Sequence, residues 1–227
     1  MIAPATTFQA RLADVRERIA TAAERSGRNA SDITLVAVSK THPAEVVVEA
    51  ARAGLTDFGE NRVQEAVAKA ADVASLASGI QPTWHLVGHL QTNKVRAALS
   101  TFAILHSVDS ERLLRAVSGA ATSPIRIMIE VNVAAEPQKY GVSVAELPAL
   151  LETARELPNL ALMGLMTVAP QFPNVEAARP VFHSLGELAR IHCLPALSMG
   201  MTNDFEIAIE EGATHVRIGR ALFGDRA

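Results

Sequence analysis

Eight short apolar runs, most of them separated by a stretch long enough for a helix, constrain this chain more than any other feature. They are Ile33–Ser39, Asp57–Asn61, Trp84–Gly88, Phe102–Val108, Ile125–Val133, Leu160–Val168, Pro195–Met201 and His215–Gly219. Their brevity and branched side chains predict buried strands. Helix starts fall between them. Asp109 precedes Ser110–Val117, Ser143 and Glu146 make a capping box before Leu147–Glu156, and Asn203 and Glu206 repeat that pattern before Phe205–Glu211. Strands joined through crossover helices run parallel. Eight such units predict an α/β chain closed into a single (β/α)8 TIM barrel, with a doubly wound open sheet as the competing architecture. An amphipathic helix with Phe8, Leu12, Val15 and Ile19 at helical spacing precedes the first strand. The loosest segments, 75–82, 118–124 and 169–174, are too short to be linkers, so residues 1–227 read as one domain.

Composition narrows the function classes. Apolar residues make up 49% and charged residues 20% of the 227 positions, as expected of a globular core. A net charge of −3 predicts no general attraction to nucleic acid or anionic membrane. No apolar run reaches membrane-spanning length, and residues 1–18 lack the apolar segment of a secretory signal. Cys193 is the only cysteine, so no intrachain disulfide can form and a cytoplasmic home is expected. Near the start of an apolar run, Cys193 reads as a small core residue. The histidines show no helical pairing with carboxylates at metal-ligand spacing, so no metal site is expected.

Lys40 is the first chemical candidate. It ends Ile33-Thr34-Leu35-Val36-Ala37-Val38-Ser39-Lys40, and a helix start follows with Pro43 in its first turn. An amine at the exit of a buried strand loses hydration, which favours the neutral form that attacks carbonyls. The other reading is a lysine reaching past the strand end into water. Most lysines do so, and this segment alone favours that reading.

The second constellation lies near the C-terminus. Leu197-Ser198-Met199-Gly200-Met201-Thr202-Asn203-Asp204 runs from a strand into a helix, and Val216-Arg217-Ile218-Gly219-Arg220 ends the last strand. Hydroxyls, glycine-exposed N–H groups and a following helix N-terminus suit a phosphate. Each motif alone is also explained as a tight turn. Together, at the ends of strands seven and eight, they fall where barrels commonly bind phosphate. In a closed barrel strand one lies beside strand eight, so amine and phosphate cradle share one mouth. A small rigid ligand with an aldehyde and a phosphate, such as pyridoxal 5′-phosphate (PLP), satisfies both.

Several segments resemble the pyridoxal-phosphate-binding homeostasis family, the alanine racemase N-terminal-like or proline synthetase co-transcribed proteins. They are Ala37-Val38-Ser39-Lys40-Thr41, Phe58-Gly59-Glu60-Asn61-Arg62-Val63-Gln64-Glu65 and the run from Trp84 to Lys94. Glu136-Pro137-Gln138-Lys139-Tyr140-Gly141-Val142, Gly164-Leu165-Met166-Thr167, the run from Leu197 to Thr202 and the run from Arg217 to Gly224 complete the set. They span almost the whole chain in family order. The resemblance implies PLP held as a Schiff base on Lys40. It places Ser198, Gly200, Thr202, Gly219 and Arg220 around the phosphate, Arg217 near the pyridine nitrogen and Asn61 near the ring or the imine. It sets Met166 and His85 at strand ends by the pocket, with packing as their equal alternative, and Lys139 in a loop near the mouth. Thr202 and Thr92 stand where the family often has serine, and Arg62 where it often has tyrosine.

The family resemblance also frames the question of catalysis. Related racemases add a C-terminal β-domain that supplies a second base, usually tyrosine, and two-base racemisation needs acids on both cofactor faces. The sequence reaches only Ala227, so a lone barrel without that domain is expected, either monomeric or weakly dimeric. The implied role is non-catalytic: binding PLP, buffering it and delivering it to PLP-dependent apo-enzymes. A weak amino-acid racemase and a cofactor-free Schiff-base aldolase of a phosphorylated sugar are the rival readings.

Overall fold

The computed structural model describes residues 7–224. Thr7 accepts the Ala10 N–H and caps the first helix, α1 (Phe8–Arg25), which turns Phe8, Leu12, Val15 and Ile19 into the core as their spacing predicts. Strands and helices then alternate: β1 (Thr34–Val38), α2 (Ala44–Arg52), β2 (Asp57–Glu60), α3 (Val63–Leu76), β3 (Thr83–Leu86), α4 (Val95–Leu99), β4 (Ile104–Val108) and α5 (Glu111–Ala120). The second half continues with β5 (Ile125–Glu130), α6 (Leu147–Glu156), β6 (Leu160–Met166), α7 (Arg179–Ile191), β7 (Ala196–Ser198), α8 (Phe205–Glu210), β8 (His215–Ile218) and α9 (Arg220–Phe223). Each strand pairs in parallel with the next, and β8 pairs with β1, setting Thr34 opposite His215 and Ala37 opposite Ile218. The chain is therefore a closed (β/α)8 barrel with an extra N-terminal helix.

Alternation along the strands sorts the core into two layers. Phe58, Leu86, Leu105, Ile127, Leu165 and Val216 face outward and pack under the helices. Met128, Met166 and Ala196 form a separate small cluster inside the barrel. The rest of the interior is unusually polar: His85, His106 and Ser198 are fully buried, and His215 and Arg217 nearly so. Gly164 shows how closely two walls approach. A Cβ there would lie 1.8 Å from the Ala196 carbonyl oxygen on the neighbouring strand, so β6 can meet β7 in this register only with glycine.

Several local expectations change. All strands but β4 stop one to three residues short of the predicted runs at the mouth, because the chain turns away to build the rim. After β5, Val131 bridges only to Val142, and the Val142 N–H bonds the Glu130 carbonyl at 2.8 Å. The 136–141 loop thus folds back onto the strand end. Pro43 lies just outside α2 as its cap, not in the first turn. The second capping box does not form. The Asn203 side chain accepts from Arg220 at 2.8 Å, Asp204 accepts the Met201 N–H at 2.6 Å, and Glu206 pairs with Arg18 of α1 at 2.9 Å.

Cys193 is exposed rather than buried. It closes α7 with a left-handed φ of 55°, while the Leu194 N–H reaches back to the Ala189 carbonyl. That is the position after a helix where glycine is usual, and it points the side chain outward.

Candidate functional site

A cavity of about 760 Å³ opens at the C-terminal mouth of the barrel. Lys40, two residues past β1, lines it and is half-buried. Asn61 from the end of β2 joins it, as do Thr202 from the loop after β7 and Arg217, Gly219 and Arg220 from β8 and its exit. Six of the nine expected positions therefore meet in one cavity. Met166, Ser198 and Gly200 do not line it. Met166 packs inside the barrel against Met128 and Ala196. Ser198 points into the barrel, where its hydroxyl meets His106 and Arg217. Gly200 is buried with φ 88°, and a Cβ there would come within 2.6 Å of the Ala208 Cβ. Glycine there lets the β7 loop turn tightly over α8, and its carbonyl accepts the Arg217 N–H at 3.0 Å.

The loops after β7 and β8 are laced together. Thr202 Oγ1 accepts the Ala221 N–H at 3.4 Å, and Asn203 holds Arg220. The N–H groups of Thr202, Gly219 and Arg220 bond to no carbonyl among the described residues. The helices that follow have only six and four residues, so donors for an anion come from loop N–H groups, the Thr202 hydroxyl and Arg220 rather than from a long helix dipole.

Behind Lys40 lies a buried ionic knot that sequence reading missed. Lys69 Nζ, on the barrel-facing side of α3, donates to the Ser39 carbonyl at 2.8 Å, to Glu60 Oε1 at 2.5 Å and to Glu65 Oε1 at 3.3 Å. Ser39 Oγ donates to the same Glu60 oxygen at 2.7 Å, and Glu65 Oε1 accepts the Thr41 N–H at 2.6 Å. Burial pushes the Glu60 carboxyl up against the opposing pull of Lys69 and Ser39, and Glu60 Oε2 has no hydrogen-bond partner among the described residues. Thr41 is held at φ 67°, a left-handed conformation costly for a β-branched residue. The knot grips the backbone on both sides of Lys40. The available signal was a lysine inside the apolar stripe Val63, Ala66, Ala70 and Val73 of α3.

Arg217 lies on the cavity floor. Burial lowers its pKa to about 10, against the opposing charges of Glu130 and Asp204. It donates to Ser198 Oγ at 2.6 Å and to the Thr167 carbonyl at 2.8 Å. Burial raises the nearby Glu130 to about 7, Arg217 opposing and Asp109 adding to the rise. A carboxyl raised in the folded state makes folding take up a proton, so its contribution is complete below about 4.5 and is lost as pH rises through about 7. Denaturant midpoints should show the wild type losing up to about 3 kcal/mol between pH 4.5 and pH 8 from this group. Glu130→Gln should flatten that slope, and an unchanged slope would mean that Glu130 is not its source.

The loop carrying Lys139 and Tyr140 lies on the rim. Lys139 pairs with Glu136 and reaches the Val168 carbonyl at 3.2 Å. Tyr140 is exposed and stacks on His89 at 3.9 Å, while His89 pairs with Asp109. Neither Lys139 nor Tyr140 lines the cavity. Among the described residues, no group of His, Cys, Asp and Glu is arranged to hold a metal, and no helix is long and apolar enough to cross a membrane.

The sequence profile described as "Alanine racemase, N-terminal domain" matches residues 11–227. The chain belongs to this family. A relative in Aquifex aeolicus named pyridoxal phosphate homeostasis protein is 44% identical, the match covering 95% of this chain and 97% of that one. The structure of PipY from Synechococcus elongatus with PLP bound aligns with a TM-score of 0.79 at 36% identity, covering 96% of this chain and all of PipY. A structure from Bifidobacterium adolescentis, described as an unknown protein, aligns with a TM-score of 0.87 at 32% identity, over 95% of this chain and 94% of the other. In this family member, then, the mouth where Lys40 meets Thr202, Arg217, Gly219 and Arg220 is the candidate cofactor site.

Proposed function

We propose that this protein binds pyridoxal 5′-phosphate covalently through Lys40 and acts in intracellular PLP homeostasis, without turnover of its own. The observation that carries the reading is a single cavity holding an amine at one side and an anion cradle at the other. The donor set fits the cofactor. Lys40 supplies a nucleophilic nitrogen for an aldehyde. Thr202, Arg220 and the exposed N–H groups of the two loops supply donors for a phosphate dianion. Asn61 supplies an amide at the second strand exit. When bound, PLP contributes an aldehyde that amines capture and a ring that accepts electrons. The protein's share is to hold the Lys40 backbone through Lys69 and Glu65 and to keep a cation, Arg217, on the cavity floor.

The likeness to a relative named for PLP homeostasis and to PLP-bound PipY supports carriage. So does the position of Tyr140, the chain's single tyrosine, which stacks on His89 instead of lining the cavity. Delivery to PLP-dependent apo-enzymes in the cytoplasm completes the proposed role, with the barrel acting alone or as a weak dimer.

The test is to load the full chain with PLP, reduce with borohydride and map the modified peptide. The expected result is a visible band in the loaded protein and the reduced cofactor on Lys40. A protein that stays colourless with added PLP, and is instead labelled on reduction with a sugar phosphate, would overturn the proposal in favour of an aldolase. Deuterium from solvent entering amino acids at the α position faster than with free PLP would overturn the absence of turnover.

A further inference from the structure

Inside the barrel a line of hydrogen bonds runs from the opposite end up to the cavity floor. Asp57 Oδ1 meets His85 Nε2 at 2.9 Å, His85 Nδ1 meets His106 Nε2 at 2.9 Å, and His106 Nδ1 meets Ser198 Oγ at 2.8 Å. Ser198 Oγ then meets Arg217 Nη1 at 2.6 Å. Four strands, β2, β3, β4 and β7, supply the line, and β8 supplies its end.

The ends give the line a direction. A guanidinium can only donate. Ser198 Oγ accepts from Arg217, and His106 Nδ1 is the one acceptor in the line that its own proton can reach. His106 is then neutral, with its proton on Nε2, and donates to His85 Nδ1. His85 in turn carries its proton on Nε2 and donates to the Asp57 carboxylate, which also accepts the Thr56 hydroxyl at 2.6 Å. With both rings neutral this arrangement gives every nitrogen and oxygen of the line a partner; turning the His106 tautomer round sets two acceptors, His106 Nε2 and His85 Nδ1, face to face and leaves the Ser198 proton without an acceptor in the line. The surroundings agree. Burial, with the positive charge of Arg217 nearby, holds His106 well below the usual range. Burial raises Asp57, but the hydrogen bonds from His85 and Thr56 work the other way, and its carboxyl ends up lowered. The other ionisable groups facing the line are Glu130, Asp204 and Arg126.

We infer that Asp57, His85, His106 and Ser198 are positioning residues for Arg217, a one-way hydrogen-bonded line that fixes its guanidinium against the cavity floor. The contribution of Ser198 to the cavity is thus indirect, through a fixed Arg217 on β8, since its hydroxyl is committed downward to His106 and is not available to a phosphate. Packing alone would need only bulk at positions 85 and 106. It would not need two buried rings joined nitrogen to nitrogen between a carboxylate and a guanidinium.

The decisive experiment is nitrogen-15 NMR of the full chain without cofactor, comparing wild type with Ser198→Ala and Ser198→Thr. In the wild type, His85 and His106 should each carry a proton on Nε2 alone, and the Arg217 side-chain N–H should exchange slowly. Ser198→Ala should speed that exchange about tenfold, as expected for loss of a bond to a charged donor, and should release the His106 tautomer. Ser198→Thr, which keeps the hydroxyl, should restore both. An Nδ1 proton on either histidine of the wild type would overturn the inference, as would Arg217 exchange unchanged in Ser198→Ala. Where Ser198→Ala does not fold, the wild-type tautomers decide. The site reading is tested separately by titrating pyridoxal phosphate. A wild type that binds none sinks the proposed function and leaves the NMR result standing, while equal affinity of wild type and Ser198→Ala overturns the positioning role.

Discussion

The Lys40→Ala protein is expected to retain no reducible pyridoxal phosphate and to lose most of the stability that the ligand confers. A ligand that binds only the folded state adds about 2.7 kcal/mol when its concentration is a hundred times the dissociation constant. In a barrel of this size that raises the melting temperature by about 5–10 °C. The covalent link to Nζ is the part of binding that no other cavity residue can replace. The substitution should therefore cut the ligand-induced shift to within a degree or two, leaving the contacts to Thr202 and Arg220. Without ligand the two proteins should melt within about 1 kcal/mol of each other, because Lys40 is half-buried and the knot beneath it stays intact. Calorimetry with and without pyridoxal phosphate, beside borohydride labelling, reads both quantities. A mutant that still shows the full shift and still takes the label would place the anchoring amine elsewhere, with Lys94 and Lys139 the first to examine.

Replacing Lys69 with methionine should destabilise the fold by about 3–5 kcal/mol at neutral pH, the usual cost of removing one partner from a buried ion pair. Glu60 has no exposed surface and its Oε2 already lacks a hydrogen bond, so without Lys69 its charge stands uncompensated. Burial already pushes this carboxyl up, and without the ammonium it rises further. A raised carboxyl stabilises the folded state below its unfolded pKa and loses that contribution as pH rises. The defect should therefore shrink on acidification and widen toward pH 8. The double replacement Lys69→Met with Glu60→Gln should recover much of the loss, because neither charge is then buried alone. Urea unfolding of the three variants at two pH values checks this. A single mutant with the wild-type midpoint at pH 8 would show that Glu60 finds another partner. Because the knot also holds the Ser39 carbonyl and the Thr41 N–H, the Lys69 variant should bind pyridoxal phosphate more weakly than its residual stability alone explains.

The barrel was legible because its signal is repetitive. Eight strand-like runs, the Leu147–Glu156 helix and the Phe8, Leu12, Val15, Ile19 stripe all lie where their patterns put them. The cavity residues were legible through position in a closed barrel, which brings residue 40 beside residues 217–220, and, for Asn61 and Arg217, through the resemblance to the family. The interior polar line was not. His85 and His106 lie in ordinary strand runs, and alternation tells which face a residue takes without telling what it meets across the barrel. Ser198 illustrates the limit. A hydroxyl beside glycines suits a phosphate, but the pleat turns Ser198, the last residue of β7, inward to His106 and Arg217. Lys69 was hidden for a related reason, since a lysine in a helix reads as solvated until its carboxylate partners on β2 are seen.

The seam between β1 and β8 has a consequence for synthesis on the ribosome. Residues 34–37 must wait for residues 215–218 before that edge is paired, so nearly the whole chain is translated while β1 remains an open edge. Lys40 emerges early, but the loops that face it emerge last, and a nascent chain halted before β8 carries the reactive amine without its cavity. The N-terminal helix adds a latch. Arg11 reaches the Leu222 carbonyl at 2.6 Å, and Phe8 stacks on Phe223. On the proposed function, a chain has its complete cofactor cavity only once it is translated through its eighth strand.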